Sequence, residues 1–323
     1  MSATRGRVVV VGSFNVDHVW WCDALPQPGE TRAGRYATGP GGKGFNQAVA
    51  AARAGASTRF LCALGDDAGA ALARSLAQAD GISLIEQRSP QPTGTAGIYV
   101  DAQGRNSIVI GPGANADVDA RCIQAQRAAF EGARVVLAQC ETPGEAVLAA
   151  LELGRAAGAI TLLNPAPANA DVDAALLAAA DIATPNETEF AALLSRHAGE
   201  HVAANTVADL DDTTLHAFCR RLLPHGTAIV TLGAAGAFVS HGDDWRGDDA
   251  ACLRIPAFPA TAIDTTGAGD AFSGALAASL ALVDGPFAEH VRFAARYAAR
   301  STECAGAAVS MPRLTPASAE PPL

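Results

Sequence analysis

Short apolar runs alternate with longer, alanine-rich runs along most of the chain. The first, Arg7–Val11, is β-branched and ends in small residues, which is typical of a buried strand whose carboxyl end opens at a site. Further strand-like runs lie at 58–64, 135–139, 160–163 and 228–239, with helix-like runs between most of them. This alternation predicts an α/β fold in which a mostly parallel sheet carries helices on both faces.

Two segments interrupt the alternation, at about 14–38 and 94–111. They contain short strand-like runs, and the first also holds several breakers and two of the three tryptophans. We expect a small separate β-sheet inserted in one domain that covers 1–315, with the tryptophans at an interface or lid, or else in a satellite hydrophobic cluster. The tail 316–323 is expected to be disordered. The polar stretch 195–214 is expected to be a surface excursion without chemistry.

Composition and charge favour small-molecule chemistry. The formal net charge is −10 and no Lys/Arg-rich run offsets it, which argues against a nucleic-acid partner. No apolar run approaches the length of a membrane span, and no signal-peptide cleavage site follows the first strand, so a cytoplasmic protein is expected. The seven cysteines lack C-x-x-C spacing, which disfavours zinc and disulfides and predicts reduced, mostly core thiols.

A stretch of small residues at 264–274 is the strongest candidate site. A strand-like run ends at Ile263, a Gly-Ala-Gly turn follows, and an apolar helix is predicted from 271 to 282. The first turn of a helix carries unpaired N–H groups and the positive end of the dipole, and glycines let an anion approach the backbone closely. The stretch is therefore a candidate anion hole.

Asp270 stands at the start of this helix. A carboxylate there could take a proton from a hydroxyl that attacks a phosphoryl group, which makes Asp270 the candidate general base. Alternatively, Asp270 only caps the helix and the glycines only serve the turn. A dinucleotide fingerprint is excluded, because Phe272 occupies the place of its third glycine.

Polar residues also follow two other predicted strands. Asn15 and Asp17 come soon after the first strand, and their amide and carboxylate could grip sugar hydroxyls, although an Asx turn is an alternative. Glu141 stands just beyond the apolar run 135–138, where open α/β sheets place ligands, with a helix cap as the alternative.

A glycine-rich turn at 39–47 precedes a predicted helix at 48–54. It differs from a phosphate-binding P-loop, because Gly44 follows Lys43 where that motif needs Ser or Thr. Its backbone amides and Asn46 could nevertheless approach the oxygens of a polyol.

Two further turns have open interpretations. Asn186 and Glu189 are spaced i, i+3 at the start of a predicted helix, where they could hold Mg2+ through its waters or simply favour the helix dipole. The glycine turn within 228–239 could seat a nucleotide against its backbone, or form an ordinary hairpin.

Two stretches, Gly41 to Ala48 and Asp264 to Asp270, resemble the two signatures of the ribokinase-like (phosphofructokinase-B type) carbohydrate kinase family. Four shorter motifs lie in the family's order, at 12–17, 111–115, 164–167 and 184–189. The resemblance covers nearly the whole chain. It implies a three-layer α/β/α fold with a mostly parallel central sheet and a small β-sheet lid.

The resemblance also implies a reaction, transfer of the γ-phosphoryl group of ATP to the 5-hydroxyl of D-ribose. Asp270 would be the base, with Gly267, Ala268 and Gly269 as the anion hole. By motif position the ribose-binding residues would be Asn15, Asp17, Gly42, Lys43, Asn46, Glu141 and Asp270. Asn186, Thr231, Gly233, Gly236 and Gly269 would bind the nucleotide, and Asn186 and Glu189 would organise Mg2+.

Members of this family also bind an activating monovalent cation, usually K+. Its ligands here would come from Asp264, Thr266, Ser301, Cys304, Gly306 and Ser310. The lid sheet would cover the sugar and pair with its twin in a homodimer.

The chain departs from the family pattern at Phe45, at Ala295, at Cys304, which replaces a commonly basic residue, and in the length of the polar stretch 195–214. Phe45 replaces a small residue beneath the sugar site, and Ala295 lies near a position that often places His or Asn against adenine. A kinase of the same family that acts on another sugar or on a nucleoside is thus an alternative. A nucleoside kinase would need an apolar or aromatic slot for the base, and Phe45 and Trp20 are the one hint of such a slot. A non-catalytic sugar-binding protein on this fold would have lost Asp270 or its glycines, which this chain keeps.

Overall fold

The structure, a computed structural model, describes residues 6–314 of the chain. The predicted tail at 316–323 and the last residue of the predicted domain lie outside these residues. The strands within them are, in chain order, β1 (Arg7–Val11), β2 (Asn15–Trp21), β3 (Arg35–Gly41), β4 (Ser57–Leu64), β5 (Ser83–Arg88), β6 (Gly94–Val100), β7 (Asn106–Gly111), β8 (Val135–Gln139), β9 (Ile160–Asn164), β10 (Ile182–Ala183), β11 (Thr227–Thr231), β12 (Ala237–Ser240) and β13 (Cys252–Ile255).

The helices follow the same alternation with the strands that the apolar pattern predicts. They are α1 (Lys43–Arg53), α2 (Ala68–Ala79), α3 (Ala120–Ala125), α4 (Gly144–Ala156), α5 (Ala174–Ala179), α6 (Glu187–Leu193), α7 (Asp212–Leu222), α8 (Ala268–Leu282) and α9 (Phe287–Ser301).

The larger sheet has nine strands in the order β13-β12-β11-β10-β9-β8-β1-β4-β5. All neighbouring strands from β5 to β11 pair in parallel. The two remaining pairs, β11 with β12 and β12 with β13, are antiparallel. The side chains of β1 alternate between two cores: Val8 and Val10 pack with residues of α1 and α8, and Val9 and Val11 with residues of α4. Helices therefore cover both faces, and the predicted fold class is confirmed.

The small separate sheet is also confirmed. It has four strands in the order β3-β2-β6-β7, with β2 and β6 parallel and the other pairs antiparallel. One face carries stacked aromatic rings, with Trp20 centred 5.1 Å from Tyr99 and 5.0 Å from Tyr36. The outer strand β7 is exposed along its length.

Several element boundaries differ from the sequence-based expectations. Helix α1 begins at Lys43 rather than 48, and the edge strand β5 had no clear apolar signal. The strand expected to end at Ile263 was wrong: β13 ends at Ile255, and Pro256 and Pro259 lack the N–H groups that a strand ladder needs. The excursion at 195–214 contains short helical turns and the start of α7.

The cysteines of the described residues are all free thiols. Cys62 and Cys219 are buried in the cores and Cys140 and Cys252 pack against one of them, in line with the expectation of mostly core positions. The helices within 6–314 include none that combines the length and apolarity needed to cross a membrane. Across the same residues, no group of three or more His, Cys, Asp or Glu side chains is arranged to hold a metal ion.

Candidate active site

Many of the predicted site residues meet at the edge of the larger sheet where its parallel strands end. A cavity of about 140 Å³ opens there. Its walls come from the ends of β9, β10 and β11 and from the beginnings of α1, α6 and α8. The lining residues are Lys43, Asn164, Thr184, Asn186, Glu189, Thr231, Thr265, Gly267, Ala268, Gly269 and Asp270.

The N-terminus of α8 forms one wall. Gly267 precedes the helix with a φ of 76°, a left-handed conformation that favours glycine, and a Cβ there would lie 2.9 Å from the Cβ of Ala307. Ala268 donates its N–H to the carbonyl of Thr265 at 3.1 Å, so that donor already has a partner. Gly269 and Asp270 follow in the first turn, where N–H groups lack partners within the helix. The helix therefore begins at 268 rather than 271, with its positive end at the cavity.

The Asp270 carboxylate is buried and held from α1. Asn46 Nδ2 donates to its Oδ2 at 2.9 Å, and Gln47 Nε2 donates to its Oδ1 at 2.8 Å. The helices α1 and α8 approach closely because Gly274 has no side chain, and a Cβ there would collide with the carbonyl of Gln47. Asp270 accepts hydrogen bonds from another helix and does not cap its own, since no side chain caps α8.

Lys43 and Glu141 lie together at the start of α1. Glu141 Oε2 accepts hydrogen bonds from the Lys43 backbone N–H at 2.9 Å and from the Ser13 hydroxyl at 2.5 Å. Burial by itself would lower the pKa of the Lys43 ammonium, but the carboxylates of Asp270, Glu141 and Glu189 outweigh it and raise that pKa. Lys43 is therefore a cation at neutral pH, facing the cavity.

Asn15 and Asp17 begin the small sheet beside this cluster. Asn15 Oδ1 accepts from Asn115 Nδ2 at 2.8 Å. Asp17 points at Gly41 of the neighbouring strand, where a Cβ would collide with its carboxylate. Burial, and then the charge of Glu141, raise the pKa of Asp17 to about 7.

Asn186 and Glu189 form a capping box at the start of α6. The Asn186 side chain accepts from the Glu189 N–H, and Glu189 Oε2 accepts from the Asn186 N–H, each at 2.9 Å. Asn186 and Glu189 therefore stabilise the N-terminus of α6, which was the alternative to metal binding, by capping it reciprocally. Both residues also line the cavity, and burial raises the pKa of Glu189. The cap engages Oε2, so Glu189 Oε1 lies outside it.

The turn predicted to seat a nucleotide follows β11. Thr231 ends β11, forms a parallel bridge with Asn186 and lines the cavity. Gly233 and Gly236 fall in the turn between β11 and the antiparallel β12, so this turn is a hairpin. They are not among the cavity-lining residues.

Two loops at the proposed cation site are joined through Asp264. Its carboxylate accepts from the Thr266 N–H and the Gly306 N–H, each at 2.9 Å. Burial by itself would raise the pKa of Asp264, but these hydrogen bonds lower it. The Ser301 and Ser310 hydroxyls donate to the carbonyls of Ala298 and Ala307, and Cys304 is exposed.

Some site residues were missed by sequence reasoning. Asn164, Thr184 and Thr265 line the cavity, and Gln47 contacts Asp270. Asn164 is the last residue of β9 and Thr184 directly follows β10. A polar residue at the end of a predicted strand was therefore the signal that could have identified them. Phe45 is buried, 5.1 Å from Phe14 and 5.9 Å from Phe60 by ring centroids, so it fills the core and offers no slot for a base.

A buried carboxylate at a helix N-terminus, beside a lysine and the ends of parallel strands, defines a small-molecule phosphotransferase of the α/β class. The sequence profile of the pfkB family carbohydrate kinases matches residues 5–314. The chain therefore belongs to this family of enzymes.

Relatives with assigned functions match over nearly the whole chain. A ribokinase from Haemophilus influenzae is 37% identical over 313 residues, covering 95% of this chain and 96% of the relative. A bifunctional ribokinase/ribose-5-phosphate isomerase A from Fructilactobacillus sanfranciscensis is 36% identical over 312 residues, and the chain spans only 54% of that protein. A deoxyribokinase from Salmonella typhimurium is 34% identical over 275 residues, covering 84% of each chain.

Solved structures show the same fold. Ribokinase from Giardia lamblia superimposes with a TM-score of 0.82 at 28% identity, covering 96% of both chains. Arabidopsis thaliana ribokinase, complexed with ribose and ATP, superimposes with a TM-score of 0.78 at 29% identity, again covering 96% of both chains.

Proposed function

We propose that this chain transfers the γ-phosphoryl group of ATP to the 5-hydroxyl of D-ribose, giving D-ribose 5-phosphate and ADP. The observation that carries the proposal is the buried Asp270 carboxylate in the first turn of α8, with both oxygens held by amides of α1. The identity to ribokinases along the whole chain supports ribose as the substrate.

The geometry supports an in-line transfer with Asp270 as general base. The carboxylate takes the proton of the 5-hydroxyl as its oxygen attacks the γ-phosphorus, and the bond from that phosphorus to the ADP oxygen breaks. The N–H groups of Gly267 and Gly269 at the start of α8 stabilise the charge on the transferring group, and Ala268, whose N–H is held by the Thr265 carbonyl, shapes the turn between them. Lys43, a cation facing the same cavity, adds positive charge.

Sugar binding is assigned to the acidic and amide groups beside Asp270. The Asn115 contact occupies Asn15 Oδ1, so the Asn15 NH₂ group is the part available to donate to a hydroxyl. Asp17, Glu141 and the backbone at Gly42 supply acceptors and donors on the same side, and Asn46 bridges the sugar and Asp270.

The nucleotide and metal assignments use the opposite side of the cavity. ATP would lie over Thr231 and the turn from Gly233 to Gly236, close to Asn186 and the first turn of α8. Asn186 and Glu189 Oε1 would hold Mg2+ through its waters, and the ion would neutralise phosphate charge. The K+ is assigned to the loops that Asp264 joins, those of Thr266 and Gly306, with Ser301, Cys304 and Ser310 as the remaining proposed ligands.

A second candidate substrate is 2-deoxyribose. The deoxyribokinase relative supports it, and the pocket groups named above would suit either furanose. A nucleoside is disfavoured, because Phe45 is buried in the core and Trp20 stacks within the small sheet, so the two do not form a slot.

A coupled ADP-release assay tests the proposal, with Mg-ATP and K+ against D-ribose, 2-deoxyribose, fructose, adenosine and pseudouridine. We expect a clear preference for ribose and a loss of rate without K+. Preference for 2-deoxyribose would select the second candidate, and preference for a hexose or nucleoside would overturn the substrate assignment.

The base assignment is tested by Asp270→Asn. The amide keeps the shape but cannot accept the proton, so we expect kcat to fall about 10²- to 10⁴-fold with ATP and sugar binding largely kept. Asp249→Asn, at an exposed carboxylate, is the matched control and should leave kcat unchanged. Near-native turnover of Asp270→Asn would remove Asp270 from this role.

A further inference from the structure

Gln47 is fully buried on α1 and lies behind the cavity rather than in its wall. Its carboxamide has three side-chain partners. Nε2 donates to Asp270 Oδ1 at 2.8 Å and to Asn164 Oδ1 at 2.9 Å, and Oε1 accepts from Gln139 Nε2 at 2.6 Å. Both protons of the Gln47 NH₂ group are thus used, and one of them is directed at the proposed base.

The direction of the Gln47 amide is fixed independently of Asp270. Asn164 Nδ2 donates at 2.9 Å to the carbonyl of Thr184, which can only accept. Asn164 must then present its oxygen to Gln47, and Gln47 must present its NH₂ group in return. The same NH₂ group faces Asp270, so the network is ready to bind a group that only accepts. An ionised carboxylate is such a group.

Asn46 and Gln47 divide the two oxygens of Asp270 between them. Asn46 Oδ1 is buried and has no hydrogen-bond partner among the described residues, so Asn46 keeps an acceptor for a bound sugar. Gln47 has no such unused atom and no place in the cavity wall. Its contact with a proposed reacting group is therefore the hydrogen bond to Asp270.

We propose that Gln47 is a positioning residue for phosphoryl transfer, which holds Asp270 Oδ1 through a donor whose orientation is set by Asn164 and the Thr184 carbonyl. The inference rests on the proposed role of Asp270 as the base. Holding both oxygens limits rotation of the carboxylate, so that it meets the attacking hydroxyl in one orientation.

The test is Gln47→Met, which keeps length and removes the donor. We expect kcat to fall about 10- to 100-fold, as is typical when a supporting hydrogen bond to a reactive group is lost. KM for the sugar should stay within about threefold, because Gln47 does not line the cavity. Expressed per folded enzyme, a lower kcat at an unchanged KM is a split that a merely structural role of Gln47 would not produce.

Gln47→Glu is the second variant and answers the same question if the Met variant is too unstable to assay. It keeps the volume and an acceptor for Gln139, but places an acceptor against Asp270. We expect its kcat to fall at least as far as that of Gln47→Met at an unchanged KM for the sugar, since it offers Asp270 no amide donor.

The control for stability alone is Thr161→Val, at the other end of β9. The buried Thr161 hydroxyl also takes part in three hydrogen bonds, with the Ala179 carbonyl, the Asp181 carboxylate and the Asp181 N–H. The valine variant should lower the melting temperature and leave kcat unchanged.

Two results would overturn the inference. One is a kcat of the folded Gln47 variants within about twofold of the native value. The other is a rise in the KM for the sugar well beyond about threefold, which would place Gln47 in sugar binding rather than in positioning Asp270. Asp270→Asn, assayed in parallel, separates this failure from that of the proposed function: an active Asp270→Asn rejects the base itself, while an inactive Asp270→Asn with active Gln47 variants rejects only the positioning role.

Discussion

Asp17 and Glu189 are buried carboxyl groups on opposite sides of the same cluster, and in both burial is the main reason that the pKa is raised. Lys43 lies between acidic groups, and its own pKa is raised by them. The residues of this site therefore oppose one another until a ligand or cation arrives. Raised pKa values of this kind cluster at functional sites.

The pKa of about 7 for Asp17 predicts a pH dependence of sugar binding. Only the ionised carboxylate accepts from two hydroxyls, so KM for the sugar should rise about five- to tenfold between roughly pH 7.5 and 6. Asp17→Asn should show a high KM with no pH dependence across this range. A native KM that is flat from about pH 5.5 to 8 would contradict the assignment.

The Asp17 carboxyl also affects the stability of the fold, which its protonated form favours, whereas sugar binding needs its ionised form. Because the folded pKa of Asp17 is raised, its contribution to stability is present below the unfolded value and is lost as pH rises through about 7. Asp17→Asn should therefore be the more stable protein at about pH 8, with the difference in melting temperature disappearing at about pH 4. Substrate recognition here is in conflict with stability.

At the scale of elements, the pair α1 and α8 makes the site. Helix α1 supplies Lys43, Asn46 and Gln47, and α8 supplies the anion hole and Asp270. Neither helix has a side-chain cap at its N-terminus, and both N-termini lie at the cavity. The site consequently depends on how closely the two helices cross.

Gly274→Ala tests that dependence. A Cβ at 274 would collide with the Gln47 carbonyl and press on Ala50, so the helices must separate. We expect a loss of about 1 to 3 kcal/mol in the free energy of unfolding and a lower kcat, although alanine is the better helix former. Gly285→Ala, where a Cβ meets nothing within 4 Å, should be near neutral in both assays. Native stability and kcat in Gly274→Ala would show that the helices tolerate separation.

Elements with a clear apolar period were predictable, and those shaped by contacts were not. Three glycines at the start of α1 indicated a turn, but Gly44 is helical because its missing Cβ lets the helix begin against the backbone of Ser13. Strand β5 is a half-exposed edge strand whose mixed pattern gives little signal.

The candidate site divides in the same way. Asp270, Asn15 and Glu141 were predictable because reactive side chains follow strand ends and begin helices. Gln47 was not, since its partners lie 117 and 223 positions away in the sequence. Its amide resembles any polar residue of a helix until the tertiary structure brings Asn164 and Asp270 to it.

At the scale of the whole molecule, the four-stranded sheet leaves an apolar edge. Three successive residues of β7, Ile108, Val109 and Ile110, are 51%, 68% and 46% exposed, and Tyr36 on the sheet is 50% exposed. A formal charge of −10 would keep chains apart unless such a surface brings them together. This supports the proposed pairing of two lid sheets in a homodimer.

Val109→Asp tests the pairing by sedimentation velocity. A charge on the outer strand should convert a dimer to a monomer, because burying it without a partner opposes association. Val283→Asp, at an apolar position 47% exposed outside the sheet, should leave the dimer intact. A native chain that sediments as a monomer at micromolar concentration, or a Val109→Asp variant that stays dimeric, would contradict this surface.

The small sheet is also joined to α1 with almost no spare chain. Strand β3 ends at Gly41 and α1 begins at Lys43, so Gly42 alone connects them. Gly42 has a φ of 88° and lies against the backbone of Phe14, where a side chain would not fit. The dihedral angles of one glycine are thus the pivot between the sheet and the helix that holds the proposed base. Because this connection is a single residue, a rotation of the small sheet would be transmitted directly to α1.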